Sequence, residues 1–220
     1  MFNIKTNLEQ VTTVLFFGEL YTDNSLKVAS KIQEDISIFD GDPYVLPVKD
    51  APPEIPRIIL QNKNENIKLE ISFQRATLII TGDDENKFKT ANSILDILSD
   101  LIYNEFNWKL KRLGRYATEK VEFSSSAIQY LKNNYLKEEK FEHAEQFNLH
   151  WLQKETFIEE NANFWTKINT PEGIERKEFR LTVDLNLVED EDRELSLESC
   201  GEFFLKSVHK IKEQFRKVLV

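Results

Sequence analysis

Hydrophobic residues recur along the chain with two different periods, and the longer period predicts helices. Leu26, Ala29, Ile32, Ile36 and Phe39 follow one another at intervals of three and four residues, which is the pattern of an amphipathic helix. The same spacing predicts three more helices, which span Phe88 to Ile102, Ile128 to Tyr135 and Phe204 to Val218.

The shorter period predicts strands. Apolar residues occupy every second position from Ile67 to Phe73, as expected of a strand with one buried face. Runs rich in β-branched and aromatic residues predict the remaining strands. These runs cover residues 11–21, 57–61, 76–81, 109–123, 144–155, 159–168 and 177–188.

The order of these elements indicates the fold class. A strand, a helix, three strands and a long helix occur once in residues 1–106 and again in residues 107–220. We therefore expect an α+β protein of two similar halves, each a strand, a helix, a three-stranded antiparallel meander and a long helix. The halves share no residue-level identity, and whether they form two domains or one compact, pseudo-duplicated domain stays open at this point.

Three segments carry a resemblance to a known family. They are Leu110-Lys111-Arg112-Leu113-Gly114-Arg115-Tyr116, Leu181-Thr182-Val183-Asp184-Leu185 and the helix from Glu202 to Leu219. In order and spacing the chain resembles a sporadically distributed family of bacterial proteins of about this length, to which no activity is assigned. It departs from that family in lacking a Pro-rich opening before the first strand. The resemblance implies the strand and helix order given above and no chemistry.

Charge and composition narrow the function classes. The 29 Lys and Arg against 38 Asp and Glu give a net charge of −9, which disfavours a general nucleic-acid binder. The single cysteine, Cys200, cannot form an internal disulfide, and no apolar run approaches the roughly 20 residues that span a bilayer. We expect a cytoplasmic protein without a membrane partner, and the abundance of Lys, Asn, Ile and Phe favours a bacterial source.

One strand interrupts the acidic character of the chain. Residues 108–120 carry five basic side chains against the single Glu119, and Trp108 and Tyr116 flank the cations. Aromatic and basic residues together are used to stack bases and hold phosphates. The candidate residues for binding a ligand or a phosphate are Trp108, Lys109, Lys111, Arg112, Arg115 and Tyr116. The alternative is an exposed strand whose charges are balanced by acidic neighbours.

Other candidates for chemistry are weaker. Ser199 and Glu202 have capping-box spacing, which places Cys200 near a helix start where a thiol pKa is lowered. No histidine is tied to Cys200 by a motif, so a buried, unreactive cysteine is the favoured interpretation. His143, His150 and His209 lack metal-ligand spacing, and no phosphate loop or nucleophile elbow occurs. We expect no metal, no cofactor and no catalytic residues.

The functional hypothesis that follows is a non-enzymatic binding or interaction protein of a bacterial accessory system. Its partner would be another protein or a second copy of this chain. The long strands between residues 144 and 188 leave sheet edges that need to be covered, and this favours a homodimer. The alternative is an enzyme or effector that acts on a nucleotide or nucleic acid through the strand at 108–120.

Overall fold

The computed structural model of the chain describes residues 3–18, 24–46, 51–82, 86–136, 141, 143–171, 176–190 and 192–219. Within these residues there are nine strands and four helices. The strands are β1 (Ile4–Phe17), β2 (Tyr44–Val45), β3 (Ile58–Gln61), β4 (Ile67–Ile71), β5 (Arg75–Ile80), β6 (Leu110–Phe123), β7 (Asn148–Phe157), β8 (Glu160–Asn169) and β9 (Glu178–Leu187). The helices are α1 (Ser25–Asp35), α2 (Lys87–Asp100), α3 (Ala127–Asn134) and α4 (Leu197–Leu219), and a π-helical turn at Leu101–Glu105 extends α2.

All nine strands form one antiparallel sheet in the order β2-β3-β4-β5-β1-β6-β9-β8-β7. The two longest strands, β1 and β6, pair at its centre, with Thr13 opposite Arg115. The register shifts between Leu8 and Gln10, so Glu9 forms a bulge in β1. Strands from both sides of residue 107 therefore belong to the same sheet.

Polar side chains at the helix starts explain where three helices begin. Asn24 Oδ1 accepts hydrogen bonds from the backbone N–H groups of Leu26 and Lys27, at 3.0 and 3.4 Å. Ser126 caps α3 in the same way, and Ser196 caps α4. From the sequence, Thr22-Asp23-Asn24 is equally suited to a turn or a helix cap, and Ser124-Ser125-Ser126 is expected to cap the next helix. In the structure the last residue of each segment is the cap. The acidic segment Asp83-Asp84-Glu85, which the sequence suggests as the cap of α2, lies outside the described residues.

One face of the sheet is buried, because the apolar residues of neighbouring strands pair with one another. Val11 of β1 lies opposite Ile80 of β5 and Ala117 of β6, and Ala117 lies opposite Val183 of β9. Each of these residues is at most 1% exposed. The alternation of buried and half-buried residues predicted for the strands is thus continuous across the sheet.

All four helices pack on this buried face, since their buried residues belong to one core cluster with it. On α4, Gln214 donates to the Thr166 hydroxyl of β8 at 3.0 Å, and Phe203 contacts Phe157 of β7. The ring of Tyr130 on α3 lies 6.4 Å from that of Phe179 on β9. None of the helices in the described part of the chain packs on the opposite face.

The mixed α+β class is therefore confirmed, whereas some predicted boundaries are wrong. β1 begins at Ile4 rather than at residue 11, because residues 4–8 and Gln10 also pair with β6. β7 begins at Asn148 rather than at residue 144. Glycine at position 114 suggests a break in the strand predicted at 109–123, but β6 runs through Gly114 without a register shift. None of the described helices is both long and apolar enough to span a membrane.

Candidate functional site

The face of the sheet opposite the helices, called here the uncovered face, consists of the alternate residues of every strand. Most of its uncharged residues have side chains that are able to donate or accept hydrogen bonds. They include Asn7, Gln10, Thr12, Thr77, Thr118, Asn148, Thr156, Asn161, Asn163, Asn169, Thr182 and Asn186. Phe16, Tyr116 and Trp165 are aromatic residues of the same face, and each of the three is half-buried. A polar surface with aromatic residues is suited to binding a ligand rather than to burial in a core.

Basic residues outnumber acidic residues on the uncovered face. The basic residues are Lys5, Lys68, Arg75, Arg112, Lys120, Lys154, Lys167 and Arg180. The acidic residues are Glu9, Glu70, Glu122, Glu178 and Asp184. This face therefore has a local excess of positive charge, whereas the whole chain has a net charge of −9.

Several of these cations have acidic partners close by. Lys120 lies 2.8 Å from Glu122 and 2.9 Å from Glu178, which raises the pKa of Lys120 and keeps it protonated. Arg180 donates to Glu9 at 2.8 Å. Ion pairs exposed to solvent are weak, so these cations can exchange partners with a bound anion at little cost.

Two adjoining depressions form a groove across the uncovered face. The first, of about 550 Å³, lies over β1, β6 and β9 and includes Gln10, Thr118 and Thr182. The second, of about 480 Å³, lies over β7, β8 and β9 and includes Trp165 and Lys167. Asn169 lines both depressions, so the groove is continuous from the end of β5 to the edge strand β7.

The floor of the groove contains a carboxylate between two aromatic residues. Asp184 of β9 is the cross-strand neighbour of Tyr116 on β6 and of Trp165 on β8. The side-chain amide of Asn186 donates to Asp184 Oδ1 at 2.5 Å. Partial burial raises the pKa of Asp184 above its ordinary value, whereas the amide of Asn186 and the nearby charge of Lys167 act in the opposite direction.

Gly114 makes room for this arrangement. A Cβ atom at position 114 would lie 2.0 Å from Asn186 Oδ1, a distance that forces the amide to move. Glycine at this position therefore allows Asn186 to lie against β6 while its Nδ2 reaches Asp184. The glycine that interrupts the apolar pattern of β6 has a steric role on the uncovered face.

Hydrogen bonds between side chains hold other parts of the groove in place. The hydroxyl groups of Thr118 and Thr182 are 2.9 Å apart. Gln10 Nε2 donates to Thr12 Oγ1 at 2.9 Å and to Tyr116 Oη at 3.2 Å. These contacts order the side chains before a ligand binds, which lowers the entropic cost of binding.

The six residues predicted to form a binding strip do not lie together. Arg112 and Tyr116 are on the uncovered face, where the Arg112 guanidinium lies 3.8 Å from the centre of the Phe16 ring. Arg115 is on the buried face with no exposed surface, and it donates to Thr13 Oγ1, the Phe204 carbonyl and Ser207 Oγ. Burial lowers the pKa of Arg115 to about 9, so this side chain is still charged at neutral pH.

The other three residues of the predicted strip lie at the beginning of β6. Trp108 is 7% exposed and packs against Phe17 and Phe106. Lys109 pairs with Glu194 at 3.0 Å, and the side chain of Lys111 packs beneath Gly18. Trp108 and Arg115 therefore have structural positions, and a ligand-binding role for the exposed members of the set stays a prediction.

Cys200 is a buried structural residue. α4 begins at Leu197 with Ser196 as its cap, so the predicted cap at Ser199 is one turn too late. Cys200 has no exposed surface, and burial raises the pKa of its thiol to about 11. A thiol with this pKa is protonated at neutral pH and is a weak nucleophile.

The histidines do not form a metal site. His150 lies on the uncovered face, with its ring centre 6.1 Å from that of Trp165. Among the residues that the structure describes, no three His, Cys, Asp or Glu side chains lie close enough to hold a metal ion.

Sequence reasoning did not identify Trp165, Lys167, Asn169 and Asp184 as candidate site residues. The alternation of residues along β8 was a usable signal. One set of alternate residues is buried, with Ala162, Phe164, Thr166 and Ile168 each at most 2% exposed. The intervening residues Asn161, Asn163, Trp165, Lys167 and Asn169 are polar apart from Trp165. Strict alternation therefore separates Trp165 from Phe164 and assigns it to the uncovered face.

Comparison with known proteins adds little to this picture. No protein-family model matches the chain, and no curated protein matches it. Among solved structures the chain is similar to a rolling circle replication initiator protein from Geobacillus stearothermophilus, with a TM-score of 0.28 and 10% sequence identity. The match covers 86% of this chain and 76% of that chain. A likeness at this level carries no argument about function.

Proposed function

We propose that this protein is a non-enzymatic binding protein that holds single-stranded nucleic acid on the uncovered face of its sheet. The observation that supports this function is the composition of that face. It combines half-buried aromatic side chains, many uncharged hydrogen-bonding groups and a local excess of basic residues, and no described helix packs on it. Sheet surfaces of this composition bind nucleic acids by stacking unpaired bases and contacting the backbone.

Charge complementarity favours a nucleic acid over a protein partner of arbitrary charge. Lys154 and Lys167 lie on adjacent strands of the groove, and Arg180 lies at its centre. A phosphate backbone in the groove would contact these cations and displace Glu9 from Arg180. The net charge of −9 disfavours general binding of nucleic acids by the chain, so the local excess of basic residues on this face is what supports the proposal.

A single strand fits the groove better than a duplex. Trp165 is a residue on which a base can stack, and stacking requires a base that is not already paired. The groove extends from the end of β5 to β7, which is five strand spacings or about 24 Å. This length accommodates about four nucleotides, the lower end of common single-strand site sizes.

The experiment measures the anisotropy of a fluorescein-labelled, single-stranded 12-nucleotide DNA and of the same DNA as a duplex, at low and physiological salt. We expect the single strand to bind at low salt and more tightly than the duplex, with affinity that falls as salt rises. Lys167→Gln should weaken binding about fivefold or more. Lys206→Gln removes the same charge from α4, where Lys206 pairs with Glu202, and should have no effect. Absence of binding to the single strand at low salt would contradict the proposal.

We also propose that the two halves of the chain, residues 1–106 and 107–220, have the same architecture. The strand order supports this idea, because each half begins with a 14-residue strand at the centre of the sheet. In each half, the last strand of the meander pairs with that first strand, as β5 pairs with β1 and β9 with β6. Native-state hydrogen exchange tests whether the halves behave as domains: two domains would open separately, and one compact domain would open together.

The homodimer expected from the sequence is retained as a proposal. It is supported by β7, a ten-residue edge strand in the described sheet whose outer side is not paired. Light scattering coupled to size exclusion should give twice the chain mass of 25.9 kDa at micromolar concentration. A mass of one chain at every concentration would contradict the homodimer.

The bacterial origin inferred from composition also stays a prediction.

A further inference from the structure

We infer that the groove selects guanine among the bases of a bound strand and that the Asp184 carboxylate reads its Watson–Crick edge. This inference rests on the proposed function, since it names the base that the nucleic-acid groove prefers. The supporting observation is that Asp184, a partly buried hydrogen-bond acceptor, lies beside Trp165, the only tryptophan on the uncovered face of the described sheet.

The geometry places a base and the carboxylate side by side. Trp165 and Asp184 are direct partners on β8 and β9, and both line the second depression of the groove. Side chains of directly paired residues are about 5 Å apart at Cβ. A base stacked on the indole of Trp165 therefore directs one edge toward Asp184, and Tyr116 bounds the carboxylate on its other side.

The Asp184 carboxylate is held in one orientation, and only one of its two oxygen atoms accepts a hydrogen bond from the protein residues that the structure describes. Asn186 donates to Oδ1, and Oδ2 has no hydrogen-bond partner among the residues that the structure describes. An ionised carboxylate accepts hydrogen bonds and donates none, so both of its oxygen atoms select for N–H groups. Gly114 contributes by leaving space for Asn186, which fixes the direction of the carboxylate.

Guanine is the base whose Watson–Crick edge matches this acceptor. It presents two adjacent donors, N1–H and N2–H₂, which a carboxylate can bind together. Adenine and cytosine present one amino group beside a ring nitrogen that accepts, and thymine and uracil present one N–H between two carbonyl groups. In each of these bases a hydrogen-bond acceptor would face the carboxylate, and the two acceptors would repel each other. Lys167, two residues from Trp165 and on the same face, is positioned for the phosphate of the same nucleotide.

The test uses single-stranded 12-nucleotide DNAs that are all thymine except at one central position, which is guanine, inosine, adenine or cytosine. Inosine keeps N1–H and lacks the N2 amino group. With the unmodified protein we expect guanine to bind about tenfold more tightly than adenine, cytosine or all-thymine DNA, and inosine to lie between them. A second arm measures guanosine and adenosine monophosphates, which distinguishes a free nucleotide from a base within a strand.

Two variants assign the preference to Asp184. Asp184→Asn should reduce the ratio of guanine to adenine affinity to about one, and Glu178→Gln, which removes a charge from the same strand and face, should leave the ratio unchanged. The readout is a ratio of affinities, so a smaller folded fraction of a variant does not alter it. The inosine comparison needs no variant at all.

The outcomes separate this inference from the proposed function. Equal affinity for all four DNAs overturns guanine selection and leaves nucleic-acid binding intact. A guanine preference that survives Asp184→Asn overturns the role of Asp184. Failure of every DNA to bind at low salt overturns the proposed function. It also overturns the inference, except where the protein binds guanosine monophosphate more tightly than adenosine monophosphate and Asp184→Asn removes this preference. That last result would support base recognition and assign it to a free nucleotide.

Discussion

Arg112 and Arg115 lie three residues apart on β6 and therefore on opposite faces of the same sheet. Arg115 is completely buried, and three oxygen atoms of Thr13, Phe204 and Ser207 accept its hydrogen bonds. Arg112 lies over the ring of Phe16 and pairs loosely with Glu189 at 3.6 Å. The same residue type is thus part of the core on one face and part of a polar surface on the other. The position relative to the sheet, and not the local charge of the sequence, decides what each cation does.

This contrast extends over the whole sheet. Residues of the buried face are packed against helices, so changes there act on the free energy of unfolding. Many residues of the uncovered face are polar and no described helix covers them, so changes there should act on binding with smaller effects on stability. The following predictions test that separation, beginning with the largest effect.

Leu95→Asp on α2 should give the largest loss of stability. Leu95 has no exposed surface, and a carboxylate at this position would be buried without a partner. We expect a loss of at least about 4 kcal/mol, seen as aggregation or an unfolded circular dichroism spectrum. Ile97→Asp is the matched control on the same helix, because Ile97 is 40% exposed, and should cost about 1 kcal/mol or less. Equal effects of the two variants would show that the helix faces are wrongly assigned.

Arg115→Ala and Arg112→Ala compare the two faces within one strand. Arg115→Ala leaves a cavity and removes the donor of three hydrogen bonds, so it should lower the free energy of unfolding by about 3 kcal/mol in urea denaturation. Arg112→Ala removes one exposed ion pair and one ring contact and should cost about 1 kcal/mol or less. Comparable losses for the two arginines would contradict the contrast between the faces.

Glu119 and Glu122 should show opposite pH dependence, although both are on β6. Burial raises the pKa of Glu119, which faces the helices, to about 7, against an ordinary value of 4.5. The native state therefore holds this proton more tightly than the unfolded state, and stability is lost as pH rises from 4.5 through 7. Glu119→Gln should consequently stabilise the protein relative to the unmodified chain at pH 8, by up to about 3 kcal/mol, and have little effect at pH 4.5.

Glu122 provides the opposite case. Its hydrogen bond with Lys120 lowers the pKa of Glu122, so its contribution to stability is present above the ordinary pKa and is lost as pH falls through the native pKa. Glu122→Gln should slightly destabilise the protein at neutral pH, and the difference should vanish in acid. Thermal unfolding of both variants between pH 4 and pH 8 measures these trends. Parallel curves for the two variants would contradict the assignment of the two side chains to opposite faces.

Gly114→Ala should have a small effect on stability, because the clash involves the Asn186 side chain on the uncovered face. We expect a cost of about 1 kcal/mol that disappears when Asn186→Ala is introduced as well. The double-mutant cycle in urea therefore gives a coupling of about 1 kcal/mol between the two positions. A cost that persists in the double variant would place the strain in the backbone of β6 instead.

The sequence was informative about elements and less so about the site. Strand and helix types followed from periodicity, and the short polar segments that end at Asn24 and Ser126 could be recognised as suited to capping a helix. The binding strip at residues 108–116 could not be assigned correctly from local charge, because alternation sends Arg112 and Arg115 to different faces. The groove joins residues of five strands, and only the pairing register brings Tyr116, Asp184 and Trp165 into one row. Register between distant strands depends on contacts that no single segment of sequence specifies.

The central claim, that nucleic acid binds on the uncovered face, is tested most directly by tryptophan fluorescence. Trp151 and Trp165 lie on neighbouring strands and on opposite faces, with Trp151 stacked on Tyr135 at 6.5 Å between ring centres. Unlabelled single-stranded DNA is titrated into the unmodified protein, Trp165→Phe and Trp151→Phe at low salt. We expect the DNA to quench the emission of the unmodified protein and of Trp151→Phe, and to leave the emission of Trp165→Phe nearly unchanged. Quenching that survives in Trp165→Phe and is lost in Trp151→Phe would place the nucleic acid on the helix side and contradict the account.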